Sequence, residues 1–179
     1  MADLDYCFQN LPDFEQIQCS NWLRGGIDGL IVFETNAVIN DYTVLANWTA
    51  LISAGTATKI VNVKGDFPDG SPVEGENPIG CGNETVLDGV DYVLNIMDYN
   101  VTAANDANYA SINGGTYYVA FHLCNEDQLL IVELPVSVVA LAANVPASNK
   151  EKQRYATSYK WSADKDWYPI RVSSPSGLF

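Results

Sequence analysis

The chain has 179 residues, a hydrophobic content of 47% and a formal net charge of −13 at pH 7. This length suits one domain with its own core, and the ordinary hydrophobic content argues against disorder. The negative charge disfavours docking on anionic membranes and non-specific binding to nucleic acid, because both need clustered lysine and arginine. We therefore expect a folded protein with no membrane partner and no specific nucleic-acid binding.

Positive charge is unevenly distributed along the chain. No lysine or arginine occurs between Lys64 and Lys150, whereas residues 150–179 are rich in basic and aromatic side chains. The charge pattern separates an acidic β-rich body (27–149) from a basic aromatic C-terminal segment (150–179), and Gly25 and Gly26 close an N-terminal arm (1–26) ahead of the body. The arm is apolar without a sustained period, so we expect it to pack on its own body or on a neighbour.

The body opens with a short strand and one helix. The continuous apolar run from Gly29 to Glu34 predicts a buried strand. An amphipathic helix is predicted at about 41–54, where Asp41 precedes the first turn and Gly55 ends the helix. The apolar side chains of this helix fall on one stripe, formed by Val44, Leu45, Trp48, Leu51 and Ile52.

A second strand (58–63) leads into a region rich in glycine and proline, which predicts a long loop over residues 65–84. Loops of this length are typically functional or bridge subunits. The loop holds four carboxylates within residues 66–76, but their spacing is not that of an EF-hand. The alternatives for these four carboxylates are a cation site, a loop exposed to solvent, and a contact with a basic segment of the chain or of a neighbour.

The remainder of the chain is dominated by strand patterns. Strands are predicted over 86–97, 116–124, 128–134, 136–145, 154–161 and 167–172, and residues 103–113 form a short helix or a turn. The predicted fold class is mainly β, resembling a sandwich, with the single amphipathic helix packed on it. An α+β fold is the alternative.

Candidate chemistry is sparse. His122 is the only histidine, and on a strand it shares a face with Cys124, which is compatible with a Cys–His dyad or half of a metal site. We favour a structural histidine, because no nucleophile, zinc-protease or phosphate-loop motif occurs. We therefore predict no enzymatic activity, no cofactor and no bound metal. For Cys7, Cys19, Cys81 and Cys124, free thiols, a zinc site and disulfides remain open.

The chain is acidic, contains one histidine, and is predicted to have arms at both ends, a glycine- and proline-rich loop and one helix. In these features it resembles the small structural proteins of tailed-bacteriophage virions, namely tail-tube, head–tail connector and capsid-decoration subunits. The resemblance implies that the helix at 41–54 flanks the sheet and that the loop at 65–84 reaches a neighbour. It also implies a homo-oligomeric virion component assembled in the host cytoplasm, without enzymatic activity.

The predicted contacts are with copies of the chain itself or with other virion proteins, through the C-terminal segment. Basic side chains would set the register, and buried aromatic side chains would supply affinity. The interface candidates are Lys150, Lys152, Arg154, Tyr159, Trp161, Trp167, Tyr168, Arg171, Leu178 and Phe179. The alternative function is a carbohydrate-binding module for host surface glycans, because exposed aromatic rings stack on sugars.

Overall fold

The computed structural model describes residues 26–76, 85–123, 127–146 and 152–179. The mainly β class is confirmed. In chain order the elements are β1 (Ile27–Phe33), α1 (Leu45–Ala54), β2 (Ala57–Gly65), β3 (Ser71–Glu76), β4 (Thr85–Asp98), α2 (Ala103–Ile112), β5 (Thr116–Leu123), β6 (Gln128–Ala140), β7 (Tyr155–Ala163) and β8 (Ile170–Ser173). Residues 1–25, which make up almost all of the predicted arm, lie outside the described residues.

The eight strands form one antiparallel sheet that closes on itself. Its order is β2-β1-β5-β6-β7-β4, and β2 also pairs with β4, so these six strands make a ring. β3 extends the sheet from β4, and β8 pairs with β6. The predicted sandwich would have needed two separate sheets. Here the inner face of a single closed sheet surrounds the main core.

Strand β6 has two partners along the same edge. Its first part pairs with β8 from Gln128 to Ile131, and its last part pairs with β7 from Ser137 to Ala140. Pro135 lies between these two parts. Proline has no backbone N–H to donate to a neighbouring strand. Pro135 is tolerated here because it lies in the gap between the β8 and β7 pairings, where no hydrogen bond to either strand is lost.

The core follows from the alternation of side chains along the strands. Along β7, residues at every second position are buried, and the intervening residues face outward. Tyr159 and Trp161 therefore point into the ring, where they pack against Leu94, Phe121 and Val138. The aromatic character of the C-terminal segment thus supplies the chain's own core.

Helix α1 covers the outer face of β1, β5 and the first part of β6. Trp48 is fully buried there, its indole N–H donates to the Tyr42 carbonyl at 2.8 Å, and its ring meets Phe33 edge-on. The helix begins at Leu45 and not near residue 41. The Asp41 carboxylate accepts hydrogen bonds from the backbone and hydroxyl of Thr43, which fixes a turn ahead of the helix. As predicted, Gly55 ends the helix in the left-handed conformation.

The predicted loop over residues 65–84 also needs correction. Residues 71–76 of the predicted loop form β3, paired with the first part of β4. Pro72 fits there because β3 is an edge strand. β2 extends to Gly65, so only residues 66–70 remain as loop, and residues 77–84 are outside the described residues. Of the two alternatives predicted for residues 103–113, the structure has the short helix, α2, whose first turn is capped by the Thr102 hydroxyl accepting from the Asn105 N–H.

The Tyr159 phenol gives a test of the core. It is fully buried, and its hydroxyl has no hydrogen-bond partner among the described residues. Tyr159→Phe is therefore expected to leave the free energy of unfolding unchanged or to raise it by about 1 kcal/mol at pH 7, as urea denaturation measures. A loss above about 1 kcal/mol would reveal a partner for the hydroxyl.

Burial also raises the pKa of Tyr159, with a smaller contribution from the nearby Asp98 carboxylate. Below the ordinary tyrosine pKa, the phenol is neutral in both states and adds no pH dependence. Above about pH 10 the unfolded chain ionises first, so wild-type stability falls with pH, by up to about 1.4 kcal/mol per pH unit from this group. Tyr159→Phe should make that alkaline decline shallower.

Candidate functional site

A cleft opens where the ring of strands is held least firmly. In the described part of the chain, β2 and β4 pair only at Val63–Asp98 and Lys64–Met97. Beyond Asp98 the chain leaves the sheet and turns into α2, so the earlier part of β2 lacks a strand on that side. The space between β2 and α2 has a volume of about 440 Å³. Small-molecule and peptide sites commonly have this size.

Asp98 anchors one wall of the cleft. Its side chain is 2% exposed and accepts hydrogen bonds from the Tyr109 hydroxyl and from the backbone and side-chain nitrogens of Asn100, each at 2.8 Å. The Asn100 side chain also donates to the Val61 carbonyl at 3.1 Å, which ties this wall to β2. Burial, followed by the bond to Asp98, raises the pKa of Tyr109 well above its ordinary value.

Helix α2 is held against the ring by a second tyrosine. The rings of Tyr109 and Tyr155 lie 4.3 Å apart. The Tyr155 hydroxyl bonds to the Asp106 carboxylate at 2.7 Å and to the Thr102 carbonyl at 3.1 Å. Both walls of the cleft are therefore held in place by buried side chains.

The β2 wall presents an open strand edge. The Glu34 N–H donates to the Thr56 carbonyl at 3.0 Å, which makes residues 34 and 56 a hydrogen-bonded pair. Because such pairs alternate in an antiparallel ladder, the backbone groups of Thr58 and Ile60 also face β1. Those of Lys59 and Val61 then face the cleft. The contact from Asn100 to the Val61 carbonyl agrees with this assignment.

The remaining lining of the cleft is rich in amides. Asn62, Asn105 and Asn108 line it, together with Ser111 on α2. The side chains of Asn62 and Asn108 make no hydrogen bond with the described residues, whereas Asn105 donates to the Asn100 carbonyl at 2.7 Å. Asn62 has a left-handed backbone (φ 59°) at the irregularity where β2 leaves β1 and reaches β4.

His122 lies on a different part of the outer surface, in a compact cluster. A bulge in β1 directs Asp28 towards it, and the Asp28 carboxylate is 2.6 Å from His122 Nδ1. The Phe179 ring stacks on the imidazole with the centroids 4.5 Å apart, and the absence of a side chain at Gly29 leaves room for this ring. The imidazole is thus a packed and hydrogen-bonded group. Cys124, its predicted partner, lies outside the described residues.

The structure separates the predicted interface residues into two groups. Tyr159, Trp161 and Leu178 are 0%, 4% and 2% exposed, so burial in their own chain removes them from the candidates. Leu178 packs under α1, and its carbonyl accepts from Lys59 Nζ at 2.7 Å. Trp167 is half-buried against Tyr92. The exposed candidates are Lys152, Arg154, Tyr168, Arg171 and Phe179, whereas Lys150 is outside the described residues.

Residues 26–76, 85–123, 127–146 and 152–179 contain no group of three or more histidine, cysteine, aspartate or glutamate side chains placed to hold a metal. Within these ranges no helix is long and apolar enough to cross a membrane. The carboxylates of residues 66–76 are now divided between a short loop and β3, and Glu76 ends that strand.

Comparison with known proteins adds no assignment. No protein-family model, no curated protein and no solved structure matches the chain. Any functional conclusion therefore rests on the geometry of the molecule. The cleft was not predicted from the sequence. The only local signal was the concentration of asparagine between residues 100 and 113, which has no meaning until α2 is placed opposite β2.

Proposed function

We propose that the protein is a non-enzymatic structural subunit, of the kind that builds a tailed-phage virion, and that it assembles with copies of itself. The observation that carries this proposal is an uncovered face on the outside of β4, β7 and the last part of β6. Its exposed apolar side chains are Val93, Met97, Tyr99, Val139 and Leu141. We call these five residues the uncovered face.

The pairing of the strands places these apolar side chains on both sides of β7, with the polar pair of Asn95 and Ser158 between Val93 and Met97. Val93 lies opposite Lys160, Met97 opposite Ala156, and Val139 opposite Ser158. The intervening residues of β7 are small apart from Lys160, so the apolar side chains of β4 and β6 stand on either side of a shallow strip. Exposed apolar patches of this kind mark contact sites between proteins.

The contrast with the rest of the ring supports the same proposal. The outer face of β1, β5 and the first part of β6 is covered by α1 and Leu178. Helix α2 covers the end of the ring near Ala140 and Tyr155. In the described ranges no comparable element packs on the uncovered face. A neighbouring subunit would complete the coverage that the chain supplies elsewhere by itself.

The net charge of −13 opposes contact between copies, so the uncovered face needs its apolar area to overcome repulsion. Added salt screens this repulsion and should therefore strengthen self-association.

Val139→Lys places a cation in the middle of the uncovered face. We expect it to weaken self-association at least 10-fold, because an ammonium group would lose water on burial, while the free energy of unfolding changes by no more than about 0.5–1 kcal/mol. Light scattering or native mass spectrometry over a range of protein concentrations measures the first effect, and urea denaturation measures the second.

Val38→Lys is the matched control, because Val38 is 79% exposed in the segment ahead of α1 and is not part of the uncovered face. It should assemble as the wild type does. A wild-type chain that stays monomeric at every concentration, or a Val139→Lys chain that assembles normally, would contradict the proposal.

Carbohydrate binding is the second candidate function. The residues that favour it are now the amides of the cleft and not the tryptophan rings. Trp161 is in the core and Trp167 is half-buried, so neither ring presents an open face for stacking. The amide side chains in the cleft favour this candidate instead, because amides both donate to and accept from sugar hydroxyls. Tyr168, 80% exposed, has an accessible ring but does not line the cleft.

A further inference from the structure

We infer that the cleft between β2 and α2 accepts an extended segment from a neighbouring copy, which adds to the open edge of β2 as a strand. This inference rests on the proposed function, because it requires that copies of the chain meet. It adds the chemistry of the contact, namely backbone hydrogen bonds along one defined strand edge.

The open edge offers a matched set of backbone groups. The Lys59 N–H, the Lys59 carbonyl and the Val61 N–H face the cleft and have no backbone partner among the described residues. The Val61 carbonyl is already bonded to Asn100. The stretch from Ala57 to Asn62 spans about 17 Å at the usual rise per residue. An extended backbone presents donors and acceptors at the spacing that these groups require.

The other two edge strands are protected against such pairing. β3 carries Pro72 and Glu74, and a proline cannot donate to a ladder. β8 has only four residues and is preceded by Pro169. Short edges, prolines and charges are the means by which proteins prevent unwanted strand addition. The open stretch of β2 contains no proline, and Lys59, its one charged side chain, is held by the Leu178 carbonyl.

The shape of the cleft restricts the occupant further. Tyr117 of β5 lines it from the ring side, and Asn108, Ser111 and Ile112 line it from α2. An occupying strand would therefore place small or apolar side chains towards the ring and polar side chains towards the helix. Its own backbone would complete the part of the ring that β4 leaves open beyond Asp98.

The cleft adjoins the uncovered face, which argues for a neighbouring copy as the source of the segment. Met97 belongs to the uncovered face and pairs with Lys64 at the closure of the ring. Tyr99, also on that face, lies between the closure and Asn100, which lines the cleft. A subunit docked on the uncovered face would therefore lie next to the opening of the cleft.

Hydrogen exchange of individual amides in the full chain tests this inference. We expect the Lys59 and Val61 amides to exchange rapidly in the dilute monomer and at least about 100-fold more slowly after assembly. The Thr58 and Ile60 amides, bonded to β1, should be protected in both states. This alternation along β2 is specific to strand addition, because a neighbour that only covers the surface does not select every second amide.

A variant that fills the cleft provides a second measurement. Asn108→Trp places a large ring in the cleft from the exposed face of α2 and should weaken assembly at least 10-fold while removing the protection of Lys59 and Val61. Ala107→Trp is the matched control, because Ala107 is exposed on the same helix and does not line the cleft. Circular dichroism confirms that both variants are folded.

Each outcome of the exchange experiment has a distinct meaning. Assembly without slower exchange at Lys59 and Val61 overturns the strand addition and leaves the proposed function intact. A chain that remains monomeric up to about 1 mM overturns both. Protection already present in the dilute monomer would mean that the chain's own residues occupy the edge, which overturns an intermolecular contact. Protection that appears only with an added glycan overturns it in favour of the second candidate function.

Discussion

Trp161→Ala is expected to lower the free energy of unfolding by about 3–5 kcal/mol, the usual cost of removing a large aromatic side chain from a packed core. Trp161 is 4% exposed, and its ring lies parallel to that of Tyr92 with the centroids 5.1 Å apart. It also packs against Phe67 and Phe121 inside the ring of strands. These aromatic neighbours also contact one another, which limits their movement into the vacated space.

Tyr168→Ala is the matched control for this substitution. It lies in the same C-terminal segment and is 80% exposed, so its removal should change the free energy of unfolding by no more than about 0.5 kcal/mol. Urea denaturation of the two variants measures both effects. A loss below about 1 kcal/mol for Trp161→Ala would contradict the placement of this side chain in the core.

This result also decides how binding experiments on the aromatic residues are interpreted. Loss of glycan binding or of assembly in Trp161→Ala would report a destabilised core and not a lost contact. Substitutions at Tyr168, Val139 and Asn108 are better suited to questions of function, because these side chains are exposed.

Asp98→Ala is expected to lower the free energy of unfolding by about 3 kcal/mol or more. The substitution leaves the Tyr109 hydroxyl and two nitrogens of Asn100 without their acceptor at a site that is 2% exposed. Hydrogen bonds to a charged group contribute about 1.5–3 kcal/mol each, and a buried donor left unpaired adds a desolvation cost. The Asn100 wall of the cleft and the packing of α2 should both loosen.

Asp91→Ala is the control on the same strand. The Asp91 carboxylate accepts one hydrogen bond from the Ser162 hydroxyl at an exposed position, so its loss should cost no more than about 1 kcal/mol. Thermal or urea unfolding compares the two variants. Equal losses for Asp98→Ala and Asp91→Ala would show that the Asp98 network does not stabilise the fold.

Local patterns in the sequence identified most of the strands but not their partners. The run from Gly29 to Glu34 predicts a strand, and β1 covers Ile27–Phe33. The predicted strand at 58–63 lies within β2. Pairing of β2 with β4 joins Val63 to Asp98 and Lys64 to Met97, which are 35 and 33 positions apart, and no local pattern encodes such contacts. The closed ring was therefore not predicted, and neither was the cleft.

The C-terminal segment shows how composition alone misleads. Its aromatic residues suggested an exposed contact surface, whereas the alternation of Tyr155, Tyr159 and Trp161 with smaller or polar residues indicates one buried face of a strand. The two-residue period of large side chains along this strand, and not its aromatic content, was the feature that indicated burial. The region at 65–84 was misjudged for a related reason, since glycine and proline favour turns but are compatible with a short edge strand such as β3.

The closure between β2 and β4 has a consequence for the kinetics of folding. Two residue pairs hold it in the described part of the chain, against nine between β4 and β7. We expect a junction with so few residue pairs to form late, because few contacts offset the entropy of closing the intervening loop. The same junction opens first under native conditions, without unfolding of the remaining strands. We therefore expect the β2–β4 junction to be the last part of the ring to form during folding and the first to open by thermal fluctuation.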